Sequence, residues 1–248
     1  MAQAAGRPEQ AVGFLYPGYS AEDDYPRLER MLAEAGAGVR LPLVHTDIGE
    51  DAHRVDALLE MGSTARLAAR VDEVKRQDVQ AVVWACTSAS FVFGWEGAHE
   101  QVRELSATAG LPASSTSFAF AHAVRALGAE RVAVAATYPD DVAELFAAFL
   151  KAAGAEVVSH RGSGIITAAE VGTWGLDEVL AMATAGDHPQ AQAVLLPDTA
   201  LHSAAWIPRI EESLGKPVLT ANQVTAWEGL RLLDRTVRCP RLGTLFAA

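Results

Sequence analysis

The sequence has few cysteines, no excess of basic charge and no long hydrophobic run. Only Cys86 and Cys239 occur among its 248 residues. They show no CxxC spacing and cannot form a disulfide framework, which is typical of a reducing compartment. Lys and Arg number 20 against 31 Asp and Glu, giving a formal charge of −11. This argues against a nucleic-acid or anionic-membrane partner. Since the amino-terminal stretch contains no apolar signal segment, we expect a cytoplasmic location.

Motifs for metals and nucleotides are also missing. The seven histidines show no HxH or HExxH spacing, and neither GxGxxG nor GxxxxGK[ST] occurs. We therefore expect neither a metal site nor a nucleotide site. What the chain does have is apolar residues: half of it is hydrophobic, with a mean hydropathy of +0.12. That is enough to form the core of one large domain or two small ones.

Short apolar runs alternate with longer segments rich in Ala, Leu, Glu and Arg. This alternation predicts an α/β fold with parallel strands. The predicted strands are 11–17, 39–45, 79–86, 111–115, 131–137, 155–159, 192–197 and 217–221. The predicted helices lie near 23–35, 54–77, 95–109, 116–127, 140–153, 167–185, 203–214 and 222–233.

The two halves of the chain resemble each other. The stretch 11–39 is echoed by 131–157, 79–90 by 191–202, and 111–128 by 216–233. The alignment pairs four positions: Cys86 with Asp198, Thr87 with Thr199, Ser117 with Asn222, and Pro17 with Thr137. Because parallel α/β sheets bind ligands at the carboxyl ends of their strands, we expect the paired positions to face each other across one cleft.

Cys86 follows an apolar strand and precedes "TSAS". A thiol beside the start of a helix gains from its unpaired amides and dipole, which predicts a lowered pKa. The same amides, with the hydroxyls of Thr87 and Ser88, suit a small carboxylate. The alternative is an inert buried cysteine.

Asp198 has two interpretations. An Asp before a helix is a common N-cap. Beside an anionic substrate, repulsion and desolvation would instead favour its protonated form, which donates a proton.

Three stretches carry a resemblance: "WACTSASF" with Gly94, "TSFAFAHAVRALGAERVAVAATYPDDVAELFAAFL" and "LGKPVLTANQVTAWEGLRLL". They resemble the aspartate/glutamate racemase superfamily, in particular the branch that holds arylmalonate decarboxylase and maleate cis-trans isomerase. The resemblance spans about residues 12 to 233. It implies two pseudo-symmetric flavodoxin-like half-domains with parallel sheets, an interdomain active site and no cofactor. We expect one half-domain from 1–115 plus 222–248, including a returning carboxyl-terminal helix, and another from 116–221.

The resemblance also implies roles for residues. Racemases and maleate isomerases of this superfamily generally have a cysteine on each half, whereas arylmalonate decarboxylase has only the second. Cys86 stands at the first position, and "LPDTAL" places Asp198 at the second. Further expected substrate-binding residues are Pro17, Tyr19, Ser20, Thr87, Ser88, Tyr138 and Thr199. For Pro17, Ser20 and Tyr138, a strand end, a helix cap and a turn residue are the purely structural interpretations.

Three reactions of a small carboxylate fit these residues. Cys86 adds to a cis-enedioate and leaves after rotation, with Asp198 moving the proton. Alternatively, Cys86 moves a proton at Cα, or it protonates the enediolate left by decarboxylation. Isomerisation suits a nucleophile paired with an acid best. A small-carboxylate binding protein without turnover is the alternative of another class. The resemblance also leads us to expect a homo-oligomer.

Overall fold

The computed structural model describes residues 10–247 and shows two parallel sheets with helices around them. The first half contains β1 (Gln10–Pro17), α1 (Asp24–Glu34), β2 (Val39–Arg40), β3 (Leu43–Thr46), α2 (Val55–Met61), α3 (Thr64–Lys75), β4 (Ala81–Trp84), α4 (Ser88–Phe91), α5 (Gly94–Ala109) and β5 (Ala113–Ser115). The second contains α6 (Thr116–Ala126), β6 (Arg131–Ala136), α7 (Asp140–Ala152), β7 (Glu156–Gly162), α8 (Ala168–Val171), α9 (Leu176–Gly186), β8 (Ala193–Leu196), α10 (Ile207–Leu214), β9 (Val218–Thr220) and α11 (Ala221–Leu232). Two short 3-10 turns, Pro240–Leu242 and Thr244–Phe246, follow.

The two sheets have the same strand order, which confirms the predicted repeat. The first sheet runs β2-β1-β4-β5 with β3 also on β1, and the second runs β7-β6-β8-β9. All pairs are parallel. When β2 and β3 are counted as one interrupted strand, the chain-order pattern in each half is second, first, third, fourth strand, as in flavodoxin-like sheets. The central strands β4 and β8 are fully buried, as expected for strands covered on both faces.

Three predicted elements are interrupted, each where the sequence breaks it. The predicted strand 39–45 becomes β2 and β3, separated by Leu41 and Pro42. The predicted helix 54–77 becomes α2 and α3, separated at Gly62; a Cβ there would lie 2.0 Å from the carbonyl oxygen of Ala89. The predicted helix 167–185 becomes α8 and α9, separated by the glycine-containing stretch 172–175.

Helix ends follow local chemistry. α7 begins with Asp140 and Asp141 and has Lys151 in its last turn, which complements the helix dipole. Gly154 just beyond it has φ +97°, a left-handed conformation that favours glycine. α11 has a capping box in which the Gln223 side chain accepts the Thr220 amide at 3.0 Å.

Helix α11 returns to the first sheet, packing against β4, β5 and α1. Its fully buried Glu228 binds Ser114 of β5 at 2.6 Å, His122 of α6 at 3.1 Å and Arg231 at 2.7 Å. Burial opposes its ionisation, but these three partners hold the pKa of Glu228 at about 2. The packing of α11 on the first sheet agrees with the carboxyl-terminal helix that we expect to return to the first half-domain. The exact domain boundaries stay a prediction.

Candidate active site

The carboxyl ends of β4 and β8 meet at one small cavity between the two sheets. Cys86 and Asp198 each lie two residues beyond the last residue of their strand, Trp84 and Leu196. Both line the cavity, together with Tyr16, Pro17, Ile48, Asp51, Ala52, His53, Leu58, Met61, Ser88, Ala168, Thr199 and Ala200. The enclosed space is about 20 Å³, which is room for roughly one water molecule. A diacid several times that size therefore requires the covering loops to move.

The Cys86 thiol is buried, with 3% of the residue exposed. Its sulfur accepts the Ala89 amide at 3.5 Å and lies 3.8 Å from Ser88 Oγ. The pKa of Cys86 is raised to about 12, mainly by burial and to a smaller extent by the nearby Asp198 carboxyl, although the Ala89 and Ser88 contacts lower it. The sequence predicts a lowered pKa for Cys86, and this prediction is wrong because the helix-start amide lowers the pKa by less than burial away from water raises it.

The Asp198 carboxylate, 4% exposed, has a partner on each oxygen. Oδ2 accepts the Thr137 hydroxyl, and Oδ1 accepts the Ala200 amide at 2.9 Å. The latter contact forms a local turn rather than a helix cap, because α10 begins only at Ile207. Oδ2 also lies 3.8 Å from His53 Nε2.

The expected carboxylate-binding hydroxyls lie next to these two groups. Ser88 and Thr199 line the cavity. Thr87 lies between Cys86 and Ser88 in the chain, and its buried Oγ1 has no hydrogen-bond partner. The Tyr138 hydroxyl donates to the Pro197 carbonyl at 2.8 Å. Its pKa is raised well above the usual value, first by burial and then by the neighbouring Asp198 and Cys86 side chains.

Of the three residues expected in the first substrate-binding loop, Pro17, Tyr19 and Ser20, one lies at the cavity. Pro17 lines it. Tyr19 is 76% exposed and its ring stacks on His45 with centroids 4.0 Å apart, so it does not reach the cavity. The Ser20 hydroxyl donates to the Ala168 carbonyl at 3.3 Å, which ties this loop to the second half.

Two residues that the sequence did not single out close the cavity. His53 donates its backbone amide to Ile166 at 2.6 Å, and its Nδ1 lies 2.9 Å from the Ile165 carbonyl. The Asp51 carboxylate accepts the amides of Ala168 and Ala169 at 2.8 and 3.0 Å. Together the loop before α2 and the loop before α8 form a latch across the halves. No motif marks either residue, since both lie in a loop without periodicity.

The internal repeat is visible in the supports of the site. Ser117 donates to the Thr87 carbonyl at 2.8 Å, and its aligned counterpart Asn222 donates to the Thr199 carbonyl at 3.2 Å. Equivalent side chains thus hold equivalent turns beside Cys86 and Asp198. Tyr16 adds a contact between the halves by donating to the same Thr199 carbonyl at 2.8 Å.

Other parts of the chain offer less chemistry. A larger, open depression of about 450 Å³ lies between β7 and α9, lined by residues that include Arg161, Trp174 and Glu178, but neither Cys86 nor Asp198 reaches it. Among residues 10–247, no cluster of three or more His, Cys, Asp or Glu side chains is arranged to bind a metal ion. In the same range, no helix has both the length and the apolar character needed to span a membrane.

Comparison with known proteins identifies the family. A sequence model of arylmalonate decarboxylase matches residues 61–246. The chain is 30% identical over 213 residues to arylmalonate decarboxylase of Bordetella bronchiseptica, covering 83% of this chain and 86% of that one. It is 31% identical over 173 residues to maleate isomerase of Nocardia farcinica (strain IFM 10152), covering 67% and 68%.

A solved structure shows the same architecture. It is a Cys→Ser variant of Nocardia farcinica maleate cis-trans isomerase with a covalently bound succinylcysteine intermediate. The TM-score is 0.81 at 25% identity, covering 96% of this chain and 98% of that one. This chain belongs to the arylmalonate decarboxylase family and is an enzyme of its decarboxylase and isomerase type.

Proposed function

We propose that this enzyme is a cofactor-independent cis-trans isomerase of a small dicarboxylate, with Cys86 as nucleophile and Asp198 as proton donor and acceptor. The observation that carries the proposal is that this thiol and this carboxyl line one buried cavity from the ends of equivalent strands. A sulfur and an acid that line one cavity from the two halves suit addition to one carbon of a double bond and proton transfer to the other.

The substrate carboxylates are held by the hydroxyls that surround the two reactive groups. Ser88 and Thr199 line the cavity from the two halves. The unpartnered Thr87 Oγ1 supports this assignment, because a buried hydroxyl without a partner costs free energy that a bound carboxylate recovers. Tyr138 donates to the substrate only if it releases the Pro197 carbonyl. Each such donor typically contributes about 3 kcal/mol to stabilising a developing oxyanion.

The resting thiol is compatible with nucleophilic chemistry. With a Cys86 pKa of about 12, the thiolate at about pH 7.5 lies about 6 kcal/mol above the thiol, at about 1.4 kcal/mol per pKa unit. A turnover of about 1 per second corresponds to a total barrier of about 17 kcal/mol, so about 11 kcal/mol remains for bond formation. The cost is substantial but does not prevent turnover.

The reaction proceeds by addition and elimination. The thiol proton passes to Asp198 as the sulfur bonds to one olefinic carbon, the π electrons move into the carboxylate on the other olefinic carbon as an enediolate, and Asp198 then delivers the proton to that carbon. Rotation about the new single bond follows. Asp198 then removes the proton, the C–S bond breaks and the thiol is restored. The succinylcysteine in the Nocardia farcinica enzyme variant is the adduct that such a sequence passes through in that protein.

Decarboxylation is the second candidate, favoured by two observations. The raised pKa keeps Cys86 in the neutral form that a proton donor needs. Ile48, Leu58 and Met61 give one wall of the cavity an apolar surface. Such a wall disfavours a charged carboxylate and so promotes loss of carbon dioxide.

Substrate assays with Cys86 variants test both candidates. Wild type, Cys86→Ala and Cys86→Ser are incubated with maleate, with aryl- and alkylmalonates and with amino acids. Maleate isomerisation that is lost in both variants supports the first candidate; malonate decarboxylation lost in both supports the second. Cys239→Ala is the matched control, because Cys239 is also buried but its sulfur donates to the Met31 carbonyl at 3.6 Å. Full activity of Cys86→Ala on every substrate would end both candidates.

The homo-oligomer and the cytoplasmic location that we expect from the sequence stay predictions. Light scattering coupled to size-exclusion chromatography tests the first.

A further inference from the structure

His53 is a buried titratable residue of the cavity with no role in the proposed reaction. Only 6% of it is exposed, and its ring packs edge-on against Tyr138 with centroids 4.8 Å apart. Nδ1 lies 2.9 Å from the Ile165 carbonyl. Since a carbonyl only accepts, Nδ1 carries a proton. Nε2 is therefore the nitrogen free to gain or lose one, and it faces Asp198 Oδ2 at 3.8 Å.

Among the residues that line this cavity, Asp198 supplies the carboxyl that faces Nε2. The other titratable groups that line this cavity or pack on the ring are Tyr16, Tyr138, Cys86 and Asp51. Burial raises the pKa of both tyrosines and of the thiol, so these three are neutral near pH 7. The Asp51 carboxylate is turned to the amides of the α8 start.

The Asp198 carboxyl has a hydrogen-bond donor at each oxygen. Its two oxygens already accept the Thr137 hydroxyl and the Ala200 amide. A carboxylate with two donors and an imidazole within ion-pair distance forms a pair that holds one exchangeable proton.

We propose that His53 and Asp198 act as one acid–base dyad that moves the Cys86 proton onto the substrate and back. The inference rests on the proposed reaction of Cys86. As the C–S bond forms, the thiol proton passes to the dyad, and the enediolate then takes that proton at carbon. In the elimination the dyad recovers the carbon-bound proton, the C–S bond breaks, and the departing sulfur takes the proton back. No other reactant is needed, since sulfur and hydrogen are only added and removed.

Two substitutions separate proton transfer from support of the loop. In His53→Asn the amide nitrogen takes the place of Nδ1 and still donates to the Ile165 carbonyl, so the latch remains while the titratable nitrogen is lost. His53→Gln places an amide near Nε2 instead. We expect kcat to fall about 100-fold or more in both, as for removal of a general acid or base. We expect KM to change less than about threefold, and the limb of the pH profile that reports the dyad to disappear.

The dyad also predicts that the effects of substitutions at Asp198 and His53 on kcat are not additive. Asp198→Asn combined with His53→Asn should be no slower than Asp198→Asn alone, because either change removes the whole dyad. Unfolding temperatures of all variants are measured alongside to confirm that they fold.

A second readout does not depend on turnover. N-ethylmaleimide carries a cis double bond flanked by carbonyls, and its adduct with Cys86 is followed by mass spectrometry. We expect the adduct to form about tenfold more slowly in folded His53→Asn than in wild type at pH 7, and the difference to narrow as the pH rises, because hydroxide then competes with the dyad for the thiol proton.

The outcomes distinguish failure of the dyad from failure of the proposed function. If wild type converts maleate and Cys86→Ala does not, while His53→Asn keeps the wild-type kcat and pH profile, the dyad is refuted and the proposed function stands. A lower kcat with an unchanged pH profile also refutes it, because His53 then only supports the loop. If no substrate is converted, equal N-ethylmaleimide rates in wild type and His53→Asn refute the dyad, whereas the expected tenfold gap supports it.

Discussion

Replacing Cys86 should change how the stability of the protein depends on pH. In the folded chain the pKa of this thiol is about 12 because of burial, whereas an unfolded thiol has a pKa of about 8.5. Between these two values the unfolded chain releases the proton and the folded chain keeps it. The folded state then binds more protons, so the free energy of unfolding falls as pH rises above about 8.5. Below that pH the contribution is fully present.

The size of this loss of stability follows from the difference between the pKa of Cys86 in the folded chain and in the unfolded chain. At about pH 10.5, two units above the unfolded pKa, wild type loses about 3 kcal/mol of stability through this thiol. Cys86→Ala cannot show this loss. The difference in free energy of unfolding between wild type and Cys86→Ala should therefore shift by about 3 kcal/mol between pH 7 and pH 10.5.

Urea unfolding followed by tryptophan fluorescence measures that difference. Subtracting the two proteins cancels the titration of the buried tyrosines and of Cys239, which are common to both. Cys86→Ser serves as a control, because its hydroxyl is similar in size and does not titrate, so it should follow Cys86→Ala. A difference that stays constant from pH 7 to 10.5 would show that the thiol ionises equally in both states, and the burial argument would fail.

Three further changes test the surroundings of the site and the core. Thr137→Val removes a buried donor to Asp198 and should cost about 1–3 kcal/mol in urea unfolding; a variant as stable as wild type would contradict this contact. Glu228 has a pKa lowered to about 2. At pH values above the usual pKa of about 4.3, its ionised form therefore stabilises the folded chain by about 3 kcal/mol, and this contribution is lost as the pH falls toward 2. In Glu228→Gln this acid-dependent loss should be absent from the unfolding curves. Asp51→Ala removes two bonds of the latch and should speed modification of Cys86 by a disulfide reagent about tenfold at neutral pH; an unchanged rate would mean that the latch does not control access.

Much of the fold could be predicted from the sequence, because a parallel sheet buried on both faces needs short apolar runs. The strand that precedes Cys86, Ala81–Trp84, is such a run. Short-range breaks were harder to place. At Gly62, where one predicted helix is divided, a side chain would collide with the Ala89 carbonyl, and that contact is between residues distant in sequence.

The pairing of Cys86 with Asp198 across one cavity was predictable because the internal repeat aligns the two strand ends. The chemical state of the thiol was not, because its pKa depends on how completely the folded chain excludes water. His53 could not be found for a related reason. It reaches the site through a loop that is held by the Ile165 and Ile166 carbonyls of the other half, and no sequence pattern reports such a contact.

The supports of the two strand ends have a consequence for how such enzymes diversify. Ser117 and Asn222 hold main-chain carbonyls of the neighbouring residues, not the side chains of Cys86 and Asp198. A substitution at either reactive position therefore leaves its backbone scaffold in place. A duplicated architecture of this kind can therefore accept a different catalytic group at one strand end without disturbing the backbone at the other.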